Sequence, residues 1–126
     1  MKTVKQEYTI KAPINKVWQA LVDTKIINEW GGGPSVMDDQ EGTLFKLWGG
    51  DIYGKNISVV PPKLLIQEWY DDNFEEPSEA RFELNESGDI TVVRLIHSNV
   101  PDDRVDDISG GWKVYYLGPL KELLDS

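Results

Sequence analysis

Residues 100–126 read VPDDRVDDISGGWKVYYLGPLKELLDS, and they restrict the fold more than any other segment. Their apolar members Val105, Ile108, Trp112, Tyr115, Tyr116, Leu120 and Leu123 recur at steps of three and four, the spacing that gathers side chains on one face of a helix. A face that wide needs a surface to lie on. The alternating segments between Ser35 and His97 are the one part of the chain large enough to supply it, so the sequence predicts one long helix laid across a curved sheet. Function is expected in the space between the two.

The rest of the chain reads in order toward that sheet. Residues 3–10 set Val4, Gln6, Tyr8 and Ile10 against Lys5, Glu7 and Thr9, the period of two of a strand. Ala12-Pro13 ends it, and Ile14, Val17, Trp18, Leu21 and Val22 continue at helical spacing behind a proline suited to a helix start. Asp23 and Thr24 cap a second short helix that carries Ile26, Ile27 and Trp30 inward. Gly31-Gly32-Gly33-Pro34 then stops it; Pro34-Ser35 follows where a nucleotide P-loop needs Gly-Lys-Ser/Thr, so the run is expected to be a flexible connection. Six short strands are predicted after it, at 35–38, 43–48, 52–60, 64–70, 78–86 and 90–97. Turns such as Asp39-Gln40-Glu41-Gly42, Gly49-Gly50-Asp51, Ser87-Gly88-Asp89 and the segment 71–77 separate them.

The expected fold class is therefore α+β in a single domain: a seven-stranded antiparallel sheet, two short helices after the first strand, and the long C-terminal helix. Strand parity predicts one concave apolar face built from Phe45 and Leu47, Ile57 and Val59, Ala80, Phe82 and Leu84, and Val93, Leu95 and His97. In the fourth of the six short strands Ile66 and Trp69 fall on opposite parity, so either a bulge intervenes or both faces are partly buried.

Composition narrows the function classes. With 13 basic against 22 acidic residues the net charge is −9, and no Lys/Arg cluster offers a phosphate footprint, which argues against nucleic acid and anionic membranes. Cysteine is absent, which excludes disulfides, thiol catalysis and thiolate metal sites. The start MKTVKQEYTI has no apolar signal core and no window is long enough to span a bilayer, so a cytoplasmic setting is expected. The doublets Asp38-Asp39, Asp71-Asp72, Glu75-Glu76, Asp102-Asp103 and Asp106-Asp107 lack the alternate-position oxygens of a calcium loop, and no His/Asp/Glu cluster has metal-ligand spacing. Asp102, Asp103 and Asp106 stand at the opening of the long helix, where the dipole favours them.

His97 is the sole histidine and ends the last strand. A proton-transfer role is one reading, a hydrogen-bonded histidine at the rim of the core the other; no nucleophile or second histidine accompanies it. Trp69 from the sheet and Trp112 from the helix are expected to meet across the groove, as ordinary core or as the wall of a ligand pocket. Gly110-Gly111 and Gly118-Pro119 flank Trp112. A glycine costs a helix about 1 kcal/mol and an interior proline about 3 kcal/mol, so the helix is expected to bend there.

The order Ile10-x-Ala12-Pro13-x-x-x-Val17-Trp18-x-Ala20-Leu21, Trp30, Gly49-Gly50, Gly54, Pro61-Pro62-x-x-Leu65-Ile66-x-x-Trp69, Leu95-x-His97 and Gly111-Trp112 followed by Leu117, Leu120, Leu123 and Leu124 resembles the activator of heat-shock protein 90 ATPase homologue-like family. That family lies within the START and birch-pollen-allergen-like (SRPBCC) superfamily. The resemblance covers essentially the whole chain and implies a helix-grip fold, in which the sheet wraps the C-terminal helix and a cavity often lies between them. It also implies a choice of functions, since the superfamily includes binders of lipids, hormones and polyketides, some cyclases and antibiotic-sequestering proteins. No catalytic residue carries over.

The expectation is a non-enzymatic domain that holds a small hydrophobic or aromatic molecule, with Phe45, Ile57, Trp69, Phe82, Leu95, His97, Trp112, Tyr115 and Tyr116 as cavity-lining residues and no cofactor. Two alternatives stay open: a co-chaperone meeting a heat-shock protein 90-type partner, and a cyclase- or hydrolase-like enzyme using His97 with a carboxylate.

Overall fold

A computed structural model of the chain describes residues 1–72 and 74–125. Asn73, inside the predicted 71–77 turn, and Ser126, the predicted end of the helix, lie outside the described residues. Strand β1 (Lys2–Ile10) leads to helices α1 (Ile14–Val22) and α2 (Thr24–Trp30), and then come β2 (Leu44–Leu47), β3 (Ile52–Val60), β4 (Leu64–Tyr70), β5 (Ser78–Ser87) and β6 (Ile90–Val100). The C-terminal segment runs from a 3-10 turn (Asp102–Arg104) through α3 (Val105–Gly111) and a π-helical turn (Trp112–Tyr116) into α4 (Leu117–Asp125).

The sheet is antiparallel, in the order β1-β6-β5-β4-β3-β2. It has six strands where the sequence predicts seven. The segment 35–38 contributes one isolated bridge, Val36 to Lys46, and goes no further as a strand. The reason is local: the Asp38 carboxylate accepts the Gln40 backbone N–H at 2.9 Å, a side-chain turn that competes with ladder pairing and leads the chain away from the sheet.

Local chemistry accounts for the two short helices. Pro13 precedes the first residue of α1, and the Ile14 N–H is taken by Glu86 of β5 at 2.9 Å, so the sheet itself caps that helix. Asp23 caps α2 by accepting the Lys25 N–H at 2.8 Å, as expected, and Gly31 closes it in the left-handed region at φ 107°. The glycine run that follows is anchored, contrary to the expected flexible connection. Gly32 and Gly31 carbonyls accept the backbone and indole N–H of Trp48 at 2.8 and 2.9 Å.

The core lies between the concave face and the helices. Phe45 and Leu47, Leu65 and Trp69, Ala80, Phe82 and Leu84, and Val93, Leu95 and His97 are all buried on that face. Strand β3 departs from the prediction. Its register shifts between Asn56 and Ser58, so Gly54 and Asn56 point inward while Ile57 is 45% exposed on the outer side. On β4 the two-faced alternative holds: Leu65, Gln67 and Trp69 are buried, and the opposite row Leu64, Ile66, Glu68 and Tyr70 is half-buried.

The closing helix is continuous but changes pitch in the middle. The Leu117 N–H bonds to the Trp112 carbonyl five residues back, which inserts one residue into the ladder and makes the bend a π turn. Gly118 belongs to that geometry, since a Cβ there would stand 1.9 Å from the Lys113 carbonyl oxygen. Beyond the turn Leu117 and Leu120 are fully buried, and Asp125 accepts the Lys11 N–H at 2.7 Å to tie the end of α4 to the β1–α1 junction. Before it, Gln6 of β1 donates to the Ser109 carbonyl at 2.8 Å and holds α3 over the sheet. No helix of the described residues is long and apolar enough to cross a membrane.

Candidate functional site

One end of the sheet, where β3 and β5 begin and β4 and β6 finish, is not filled by the helix above it. A cavity of about 340 Å³ remains there. The sheet side supplies Trp48, Ile52, Trp69, Ser78 and His97; the segment after β4 supplies Asp71 and Phe74; the helix supplies Ile108, Gly111, Trp112, Tyr115 and Tyr116. Trp112, Tyr115 and Tyr116 stand at i, i+3 and i+4, on one face of the closing helix, and the π turn that carries them keeps all three at the same opening.

The rings form a cluster. Trp112 lies 4.7 Å from Trp69 and 4.8 Å from Tyr116 between ring centroids, and Trp30 backs Tyr116 at 4.6 Å. Trp48 meets Tyr116 edge-on at 6.1 Å. Each indole N–H in the wall is engaged. Trp69 donates to Gln67 Oε1 at 2.8 Å, and Gln67 in turn donates to Asn56 Oδ1 at 3.0 Å. Trp112 donates to His97 Nδ1 at 2.9 Å. These buried amides and the imidazole therefore orient the aromatic wall as well as satisfy themselves.

His97 is held at both nitrogens. An indole N–H can only donate, so Nδ1 is the acceptor and the ring proton of the neutral form sits on Nε2, from where it is donated to Ser78 Oγ at 2.7 Å. Burial, at 1% exposure, lowers its pKa from 6.5 to about 4. A neutral histidine whose single lone pair is already taken has none with which to accept a proton, so the arrangement acts as a positioning link between helix and sheet. Tyr116 is different. Its hydroxyl is buried with no hydrogen-bond partner among the described residues, and burial raises its pKa.

Of the nine residues predicted to line a cavity, Trp69, His97, Trp112, Tyr115 and Tyr116 do so. Phe45, Phe82 and Leu95 sit deeper in packed core, with Phe82 5.6 Å from the Trp112 ring as its support. Ile57 is displaced to the outer face by the shift in β3. Sequence reasoning missed Trp48, Ile52, Phe74, Ser78 and Ile108. Ser78 was within reach: in the β5–β6 ladder Ala80 stands across from His97, and Ser78, two residues along, shares its face. Among the described residues no group of three or more Asp, Glu or His stands where it could hold a metal ion.

Residues 11–125 match the family model described as activator of Hsp90 ATPase homolog 1-like protein. The chain belongs to that family. Among relatives of this Hsp90-activator-like domain, an activator of 90 kDa heat shock protein ATPase homolog from Dictyostelium discoideum is 24% identical over 123 residues, covering 95% of this chain and 32% of the relative. The chain spans about a third of the length of the curated relatives it matches. A crystal structure of an HSP90 activator from Plasmodium falciparum superposes with a TM-score of 0.89 at 19% identity, over 97% of this chain and 95% of that one, a likeness of fold. The solution structure of the Aha1 dimer from Colwellia psychrerythraea gives 0.85 at 25% identity, over 99% and 97%.

Proposed function

We propose that this Hsp90-activator-like domain binds a small apolar or aromatic molecule in the cavity between the end of the sheet and the π turn. The observation that carries the reading is the cavity itself: about 340 Å³, walled by Trp48, Trp69, Phe74, Trp112, Tyr115 and Tyr116, with a few polar groups at defined positions. Small-molecule sites are concave, mostly apolar spaces of roughly 300–1,000 Å³ with a small number of placed polar groups, and this space fits that description. A helix that served only to complete a core would gain stability by filling it.

Native mass spectrometry of the purified chain and titration with an apolar fluorescent dye test the reading. A bound species or saturable one-to-one binding is expected. Absence of both would remove it.

A second reading has its own support. The relatives from Dictyostelium discoideum and Plasmodium falciparum carry heat-shock protein 90 activation in their names, and the net charge of −9 suits a basic partner surface. Here the chain is a chaperone-binding module. Incubation with a heat-shock protein 90-type chaperone should then give co-purification and a faster ATPase; neither effect at micromolar concentration would exclude it.

A further inference from the structure

Trp48, on the cavity wall, has its backbone in the left-handed region at φ 50°. That conformation is out of place for a bulky side chain, whose Cβ crowds the neighbouring carbonyl. Among the described residues Asn99, at φ 62°, is the other non-glycine residue there, and asparagine tolerates the region well. The turn from β2 into β3 has glycine at its next two positions, Gly49 at φ 70° and Gly50 at φ 106°, yet a tryptophan at the first. A backbone held against its preference persists only where its surroundings fix it, and such residues gather at binding sites.

The surroundings fix this ring at several points. The Trp48 backbone N–H donates to the Gly32 carbonyl at 2.8 Å, and the next one, of Gly49, donates to the Pro34 carbonyl at 2.9 Å. The indole N–H donates to the Gly31 carbonyl at 2.9 Å, so the ring cannot turn without losing that bond. Its edge contact with Tyr116 sets it against the buried floor of the cavity. Trp69, Trp112 and Tyr116 in that floor are buried and packed on one another. The surface left to a guest comes from half-buried Trp48, Ile52, Phe74 and Ile108 and from exposed Tyr115. Trp48 is the largest of these and is anchored through its ring. At about 340 Å³ the space stands near the lower end of small-molecule sites, so the position of one indole decides how wide a guest it admits.

We propose that Trp48 is the specificity-determining wall of the site: it limits the cavity to a flat aromatic guest of about two fused rings and turns away larger fused systems. This rests on the reading of the cavity as a binding site and names the size class of its ligand.

The test is a fluorescence titration of the full chain with two neutral alcohols, 1-naphthylmethanol and 1-pyrenylmethanol, which differ in ring number and carry no charge. The parent should bind the naphthyl probe at least about tenfold tighter than the pyrenyl probe. Trp48→Gly removes the ring and suits the backbone, and in that protein the ratio should fall to about one or reverse. A ring that only supported the fold would weaken both probes together and leave the ratio as it was. Should Trp48→Gly not unfold cooperatively, Trp48→Phe takes its place, with a ratio between those two values. A parent that binds the pyrenyl probe as tightly, or a variant that keeps the parent's ratio, overturns the role of Trp48 and leaves the cavity as a site. No binding of either probe to the parent removes both.

Discussion

The indole N–H of Trp112 donates to Nδ1 of His97 over 2.9 Å, and this one bond joins the middle of the closing helix to the last strand. It fixes the imidazole tautomer and turns Nε2–H toward Ser78. It also sets the position of the Trp112 ring on the cavity wall. The same contact therefore serves stability and the shape of the site.

Stability should fall on mild acidification because of this histidine. Its pKa is about 4 in the folded chain against 6.5 when exposed, so as pH drops the unfolded chain takes up the proton first. The stabilisation is complete above pH 6.5 and is lost progressively toward pH 4. Between pH 7 and pH 5 the loss should be about 2 kcal/mol. Asp102 and Asp125, whose carboxyls are held below 3.8 by the amino terminus and by Lys121, lose their contribution only at lower pH. Urea unfolding midpoints at both pH values measure the effect, and His97→Gln should largely abolish the difference; an unchanged difference would mean that other groups cause it.

Tyr116→Phe removes a buried hydroxyl that has no partner among the described residues. The variant should be as stable as the parent or more stable by about 1 kcal/mol in thermal unfolding, since an unsatisfied buried polar group is itself a cost. A clear loss of stability without ligand would show that the hydroxyl is already satisfied.

Gly110→Ala separates helix strength from the site. Gly110 is exposed, a Cβ there meets nothing within 4 Å, and it does not line the cavity. Stability should rise by about 1 kcal/mol with binding unchanged. Denaturant curves and a dye titration on the same sample check both halves.

Gly118→Ala should do the reverse. Its Cβ would stand 1.9 Å from the Lys113 carbonyl oxygen, a contact that exists because the π turn draws Lys113 and residue 118 together. Relieving the overlap means shifting the backbone of the turn, at a cost of about 1–3 kcal/mol, and displacing Trp112 and Tyr116 with it. Lowered thermal stability together with weakened dye binding is the expected pair; a normal melting temperature would contradict the close approach.

Much of this architecture was legible because it depends on local rules. Strand parity identified Phe45, Phe82, Leu95 and His97 as inward, and Asp23 could be read as a cap from its position alone. Ile57 was misplaced because parity survives only until a register shift, and nothing in Asn56-Ile57-Ser58 announces one. The seventh strand failed at Asp38, where a side-chain turn outcompeted pairing. Gly118-Pro119 did signal a bend, but its form, a π turn closed by the hydrogen bond from Leu117 back to Trp112, is a tertiary outcome. Trp48, Phe74 and Ser78 come from turns and strand ends, so their convergence needed the sheet to be assembled first.

The most direct test of the cavity as a binding site is a fluorescence titration with the neutral dye N-phenyl-1-naphthylamine, comparing the parent chain with Gly111→Phe. Gly111 lines the cavity in ordinary helical geometry and a Cβ there meets nothing within 4 Å, so the added ring can occupy the space without straining the backbone. Saturable one-to-one binding to the parent, weakened at least about tenfold in a Gly111→Phe protein that still unfolds cooperatively, is the predicted result. No saturable binding to the parent, or equal binding to both, would contradict it.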